Sequence, residues 1–134
     1  MKEIMDFMNE CGVFFVSTVE GNLPKVRPFS FVMEYDGKLC FATSNQKPIF
    51  AQLTANNNVE ISSSTPNGKW MRLSGNAVFM ASDTARGAKE KALEAMPMLK
   101  HMYSVDDGIF EVFYIENGVA NFYSMKGDFE TIKF

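Results

Sequence analysis

Tight-turn signals cut most of this chain into short β-type runs, and that spacing constrains the fold more than any other feature. Asp36-Gly37 and Asn117-Gly118 each read as a two-residue hairpin, because such turns need left-handed backbone that Asn, Asp and Gly tolerate. Glu20-Gly21-Asn22 and Pro66-Asn67-Gly68 supply further turns. Between them lie runs rich in Val, Ile, Phe and Thr, which predict strands over residues 13–19, 25–35, 39–43, 59–64, 70–80, 109–116 and 119–124. Residues 129–134 predict a last edge strand. Gly75, inside a long strand, predicts a bulge or a close backbone approach.

Helical spacing interrupts this pattern three times. Ile4, Met5, Phe7, Met8 and Cys11 predict a helix over residues 2–11, ended by Gly12. A short helix is predicted to run from Pro48 to Ala55, capped by Asn45 and closed by Asn56-Asn57-Asn58. A third follows Ser82-Asp83-Thr84 and is broken by Pro97, with a short helical piece over residues 98–103. Seven or eight strands joined by short hairpins argue for a mainly β barrel rather than a parallel sheet. The length of strands 25–35 and 70–80 favours the closed form. With 134 residues and no linker or repeat, residues 1–134 read as a single domain.

Composition narrows the function classes. A net charge of −3 with no Lys/Arg run argues against nucleic acid as a partner. The N-terminus lacks a signal-peptide pattern, and no run approaches the ~20 apolar residues of a membrane span, so a cytoplasmic location is expected. Cys11 and Cys40 stand in no metal-like spacing and read as buried free thiols. The 13 Phe and 10 Met exceed what a small barrel interior holds. Part of that apolar surface is expected to meet a partner subunit or a flat ligand.

Three segments could carry chemistry. The first is Pro24-Lys25-Val26-Arg27-Pro28-Phe29-Ser30-Phe31, where alternation sends Arg27, Phe29, Phe31, Met33 and Tyr35 to one face. Arg27 there must reach water or find a carboxylate unless a ligand supplies its partner. The second is Thr43-Ser44-Asn45-Gln46-Lys47, at a strand-to-helix junction where unpaired N–H groups receive anions. The third is Trp70-Met71-Arg72-Leu73-Ser74-Gly75-Asn76-Ala77, where the cation Arg72 alternates with Trp70 and Ser74. Each segment also has an ordinary structural explanation: a snorkelling edge Arg, a plain helix cap, and a Trp packed in a core or dimer face. The single histidine, His101, and the lack of a metal cluster, P-loop or nucleophile elbow leave hydrolysis poorly supported. An enzyme built this way needs a cofactor.

The order KVRPFSF, DGKLCFATS, QKPIFAQLTANNNVEI and KWMRLSGNAVF resembles the pyridoxamine 5'-phosphate-oxidase-like, FMN-binding split-barrel superfamily. Within it, the chain is similar to small proteins of the nitroimidazole-resistance (Nim) type, over roughly residues 1–125. The resemblance implies FMN at the interface of a homodimer. Lys25, Val26, Arg27, Pro28, Phe29 and Ser30 would line the ring and ribityl side, with Thr43, Ser44 and Lys47 on the phosphate. Trp70 and Met71 stand where many relatives carry a Gln that reaches the flavin from the second subunit. It further implies an FMN-dependent oxidoreductase acting on a small planar substrate; a non-catalytic flavin or haem carrier is the alternative. The C-terminus, Gly127 to Phe134, lacks the Arg/His segment with which pyridoxamine-phosphate oxidases grip their substrate, so vitamin B6 oxidation is not expected. Ala42-Thr43 stands where Nim-type proteins often carry a His, so nitroimidazole reduction is only one of the possible activities.

Overall fold

Ile4 and Met8, one turn apart, are both buried on the inner face of α1 (Lys2–Cys11) in a computed structural model describing residues 1–134. Gly12, at φ 77°, ends that helix and donates its N–H to the Met8 carbonyl at 3.0 Å. The chain then turns into a hairpin of β1 (Phe14–Glu20) and β2 (Leu23–Phe29), in register from Phe14 against Phe29 to Glu20 against Leu23.

The expected strand over residues 25–35 is two strands. β2 stops at Phe29, and β3 (Met33–Tyr35) starts on the opposite edge of the sheet, paired to β4 (Lys38–Ser44). Pro28 supplies no N–H to a ladder, and the chain leaves β2 one residue after it. The single apolar face expected across this segment is therefore broken. Phe29 packs against the barrel interior, whereas Met33 and Tyr35 belong to a separate cluster under the third helix. The following turn is as expected, with Asp36 at φ 52° and Gly37 at φ 73°.

β5 (Asn58–Ser64) and β6 (Lys69–Phe79) form the central hairpin. The bulge expected at Gly75 is present, since the register with β7 (Phe110–Ser124) shifts between Ser74 and Asn76. A Cβ on Gly75 would sit 2.4 Å from Ile115 Cγ2 and 3.0 Å from the Glu116 carbonyl oxygen. No hairpin forms at Asn117-Gly118. β7 continues past both residues, which together oppose the single Gly75 as the extra length of the bulge, with Asn117 left-handed at φ 54°. Gly118 instead exchanges two 2.9 Å backbone hydrogen bonds with Phe134. This extends the pairing between β7 and the edge strand β8 (Phe129–Lys133).

All eight strands form one antiparallel sheet in the order β2-β1-β5-β6-β7-β4-β3, with β8 added to β7. The barrel is split rather than closed: its two end strands, β2 and β3, are joined by residues 30–32 and not by a ladder. Phe14, Phe41 and Phe113 fill the interior, with Phe41 and Phe113 stacked at 5.3 Å. The outer side of β4 and β7 buries Cys40, Phe110 and Val112 under Ala88 and Ala92 of α3 (Ser82–Ala95). β4 is thus covered on both faces, which accounts for its unbroken apolar run. A 3-10 turn, Pro97–His101, follows α3. No helix is long and apolar enough to cross a membrane.

Candidate functional site

Where the chain crosses from β2 to β3, the open side of the barrel leaves a cavity of about 520 Å³. That volume lies in the range of small-ligand sites. Its lining includes polar and cationic residues: Arg27 from β2, Thr43 from the end of β4, and Lys47 just before α2 (Pro48–Ala55). Its apolar lining includes Phe31 from the crossing segment and Met96 and Leu99 from the end of α3 and the 3-10 turn. No acidic residue lines it. In a chain of net charge −3, two cations around one cavity without a carboxylate form a local field suited to an anion.

Arg27 is half-buried and finds neutral protein acceptors rather than a carboxylate. Nη1 donates to the Thr18 hydroxyl at 2.8 Å and to the Val16 carbonyl at 3.2 Å, and Nη2 donates to Gln52 Oε1 at 2.6 Å. All three acceptors are neutral. Thr18 also donates its hydroxyl proton to Gln52 Oε1, at 2.6 Å. Burial lowers the Arg27 pKa with no acid to offset it, yet a guanidinium stays protonated in proteins. The charge is therefore present and uncompensated at contact distance.

α2 places the second cation. Asn45 does not cap this helix; its side-chain amide donates to the Gly108 carbonyl at 2.8 Å and to Glu111 Oε1 at 3.2 Å. Tertiary partners on the neighbouring strand outcompete the local cap. Lys47 holds the cap position in extended conformation, without a side-chain bond to the helix, and Pro48 follows at the first turn. Thr43 is 4% exposed, and its hydroxyl is the one buried side-chain polar atom in the structure without a hydrogen-bond partner. Buried hydroxyls are rarely left so, and this one stands beside a cationic cavity.

Of the residues singled out from sequence, Arg27, Pro28, Phe29, Ser30, Thr43 and Lys47 share this cavity. The other five lie elsewhere. Lys25 stands opposite Thr18 farther along β2, and Val26 projects from the outer face, 66% exposed. Ser44 is buried and accepts the Gln46 N–H at 3.1 Å. Met71 is fully buried in the barrel core. Trp70 stacks on Tyr123 at 5.3 Å, and Arg72 lies 5.4 Å from that Tyr123 ring. His101 is exposed and off the cavity. Phe31, the last residue of the first candidate segment, lines the cavity as well; sequence reading missed Met96 and Leu99 as lining residues, and Thr18 and Gln52 as partners of Arg27. Gln52 did carry a signal: it is a polar residue between Ile49 and Leu53 on the buried face of a short helix.

The chain matches the family model described as pyridoxamine 5'-phosphate oxidase over residues 1–121. A NimC/NimA family protein from Clostridium acetobutylicum is 48% identical, with a TM-score of 0.93; the match covers 100% of this chain and 92% of that one. A pyridoxamine 5'-phosphate oxidase-related, FMN binding protein from Nostoc punctiforme shares the fold at 14% identity, TM-score 0.63, covering 99% and 95%. A heme binding protein from Mycobacterium smegmatis does so at 16% identity, TM-score 0.73, covering 92% of this chain and 53% of that one. No functionally curated protein matches the chain. The split barrel, the order of its motifs and the full-length likeness agree: the chain belongs to the pyridoxamine 5'-phosphate oxidase family, in its NimC/NimA group.

Proposed function

We propose that the chain binds FMN at the cavity of the barrel split and acts as an FMN-dependent oxidoreductase on a small planar acceptor. The observation that carries this reading is the mixed lining of the cavity, which joins Arg27, Lys47 and an unpartnered Thr43 hydroxyl with Phe31, Met96 and Leu99. A ligand with an anionic end and a flat apolar end satisfies both kinds of lining at once. Lys47 and Thr43 would hold the phosphate, Arg27 would bond phosphate or ring oxygens, and the apolar lining would exclude water from the ring. Bound flavin supplies the redox chemistry that no side-chain constellation in this chain offers.

The working form in this proposal is a cytoplasmic homodimer. The outer face of β2 and β1 leaves Val26 66% and Phe15 50% exposed, and neighbouring Pro28 connects that face to the cavity. Glu60 and Arg72 project from the same face on β5 and β6, so a two-fold copy can set opposite charges against each other. Burial raises the Glu60 pKa while Arg72 lowers it, so a carboxylate already partly desolvated awaits a counter-charge.

An absorbance spectrum of the purified protein tests the cofactor. A flavin spectrum bleached by NAD(P)H supports the oxidoreductase; a flavin spectrum that NAD(P)H leaves unchanged makes the protein a carrier. A Soret band would replace FMN by haem, and a colourless protein that FMN cannot reconstitute would reject the reading. Sedimentation of wild type and Val26→Asp tests the assembly: wild type is expected as a dimer and the variant as a folded monomer.

A further inference from the structure

Gln52 sits between two charges that would otherwise attract each other. Its side chain is 5% exposed in α2; Oε1 accepts from Arg27 and from Thr18, and Nε2 donates to Glu20 Oε2 at 3.0 Å. The amide can point only one way. Arg27 offers donors alone and Glu20, as a carboxylate, acceptors alone, so a flipped amide would set donor against donor and acceptor against acceptor. Thr18 is equally committed, accepting from Arg27 and donating to Gln52. Glu20 and Gln52 line a groove separate from the cavity, away from Arg27. The acid thus reaches Arg27 through a neutral amide, never as a direct ion pair.

We infer that Gln52 is a positioning residue for the cationic lining of the cavity: it aims the Arg27 guanidinium and keeps Glu20 from neutralising it. This rests on the proposed FMN site. A carboxylate in direct contact would make a pair of zero net charge, and a ligand phosphate or ring oxygen would then meet little field. A neutral amide orients the same planar fork by hydrogen bonding while leaving its full charge available. Three bonds to neutral acceptors, to Val16, Thr18 and Gln52, use only part of the five-donor guanidinium. The remaining N–H groups are free for a ligand.

The test is titration of the apo-protein with FMN and with riboflavin, with potentiometry of the flavin-loaded forms. Gln52→Glu places a carboxylate against Arg27 and is expected to weaken FMN about ten-fold or to make the bound flavin harder to reduce. Thr54→Glu adds the same charge on the exposed side of the same helix and is expected to change neither quantity. Gln52→Met removes the acceptor without adding charge, and it serves if Gln52→Glu does not fold. It is expected to reduce the preference for FMN over riboflavin or to shift the flavin potential, through a mobile Arg27. If wild type binds FMN but both Gln52 variants match it in affinity, ligand preference and potential, the inference is overturned. If wild type binds no FMN, the failure lies in the cofactor reading instead.

Discussion

Thr43 stands opposite Glu111 in the β4–β7 ladder, yet its hydroxyl is unpartnered, while the Glu111 carboxylate accepts from Asn45. A buried hydroxyl without a partner costs about 1–3 kcal/mol. Thr43→Val keeps the shape and removes that cost. The apo-protein should be as stable as wild type or more so in urea, while FMN affinity falls. A variant that loses stability and keeps its affinity would show that the hydroxyl serves the fold alone.

Lys47 is exposed before α2 and makes no ion pair in the structure. A cation at a helix N-terminus opposes the helix dipole, so its placement favours a ligand over the helix itself. Lys47→Ala should weaken FMN by about ten-fold and riboflavin hardly at all, since only FMN carries the phosphate. Isothermal titration with both ligands measures the difference; equal losses would place Lys47 off the phosphate.

Gly75 lies where β6 and β7 lose register, and its missing side chain leaves room for Ile115 and the Glu116 carbonyl. Backbone on one side and a buried Ile on the other limit relaxation. Gly75→Ala is expected to lower unfolding stability by about 1–3 kcal/mol, read from urea midpoints. The cavity at the barrel split shares no lining with this bulge, so FMN affinity per folded molecule should hold.

Cys40 is buried between β4 and α3, and desolvation pushes its thiol up to about 11 from an ordinary 9.0. The unfolded chain therefore releases this proton first as pH rises. Stability attributable to Cys40 is intact below pH 9.0, declines above it, and is lost as pH passes about 11. The loss is on the order of 2 kcal/mol. Urea melts of wild type and Cys40→Ala over this range should converge as pH rises. Below it, thiol reagents should modify the half-buried Cys11 before Cys40.

Local chemistry made much of this protein legible before any coordinates. The α1 helix and its Gly12 stop, the Asp36-Gly37 turn and the Gly75 bulge follow from periodicity and left-handed backbone preferences that neighbours in sequence decide. Arg27, Thr43 and Lys47 were legible as candidates because a cation on an apolar strand face, or a polar strand end before a helix, is a local conflict. Asn117-Gly118 looked equally plain as a hairpin and is not one. The pair forms a bulge opposite Gly75 instead, because β7 resumes its pairing with β6 and β8 from Val119, and ladder energy outweighs turn preference. The split between β2 and β3 was likewise hidden, because apolar alternation cannot reveal that a chain changes sheet edges. Only the tertiary fold brings Gln52 from α2, Thr18 from β1 and Arg27 from β2 within hydrogen-bond reach across as many as 34 residues. The sequence alone determined which residues needed partners; the fold decided which partners they met, since those contacts depend on how distant strands pair.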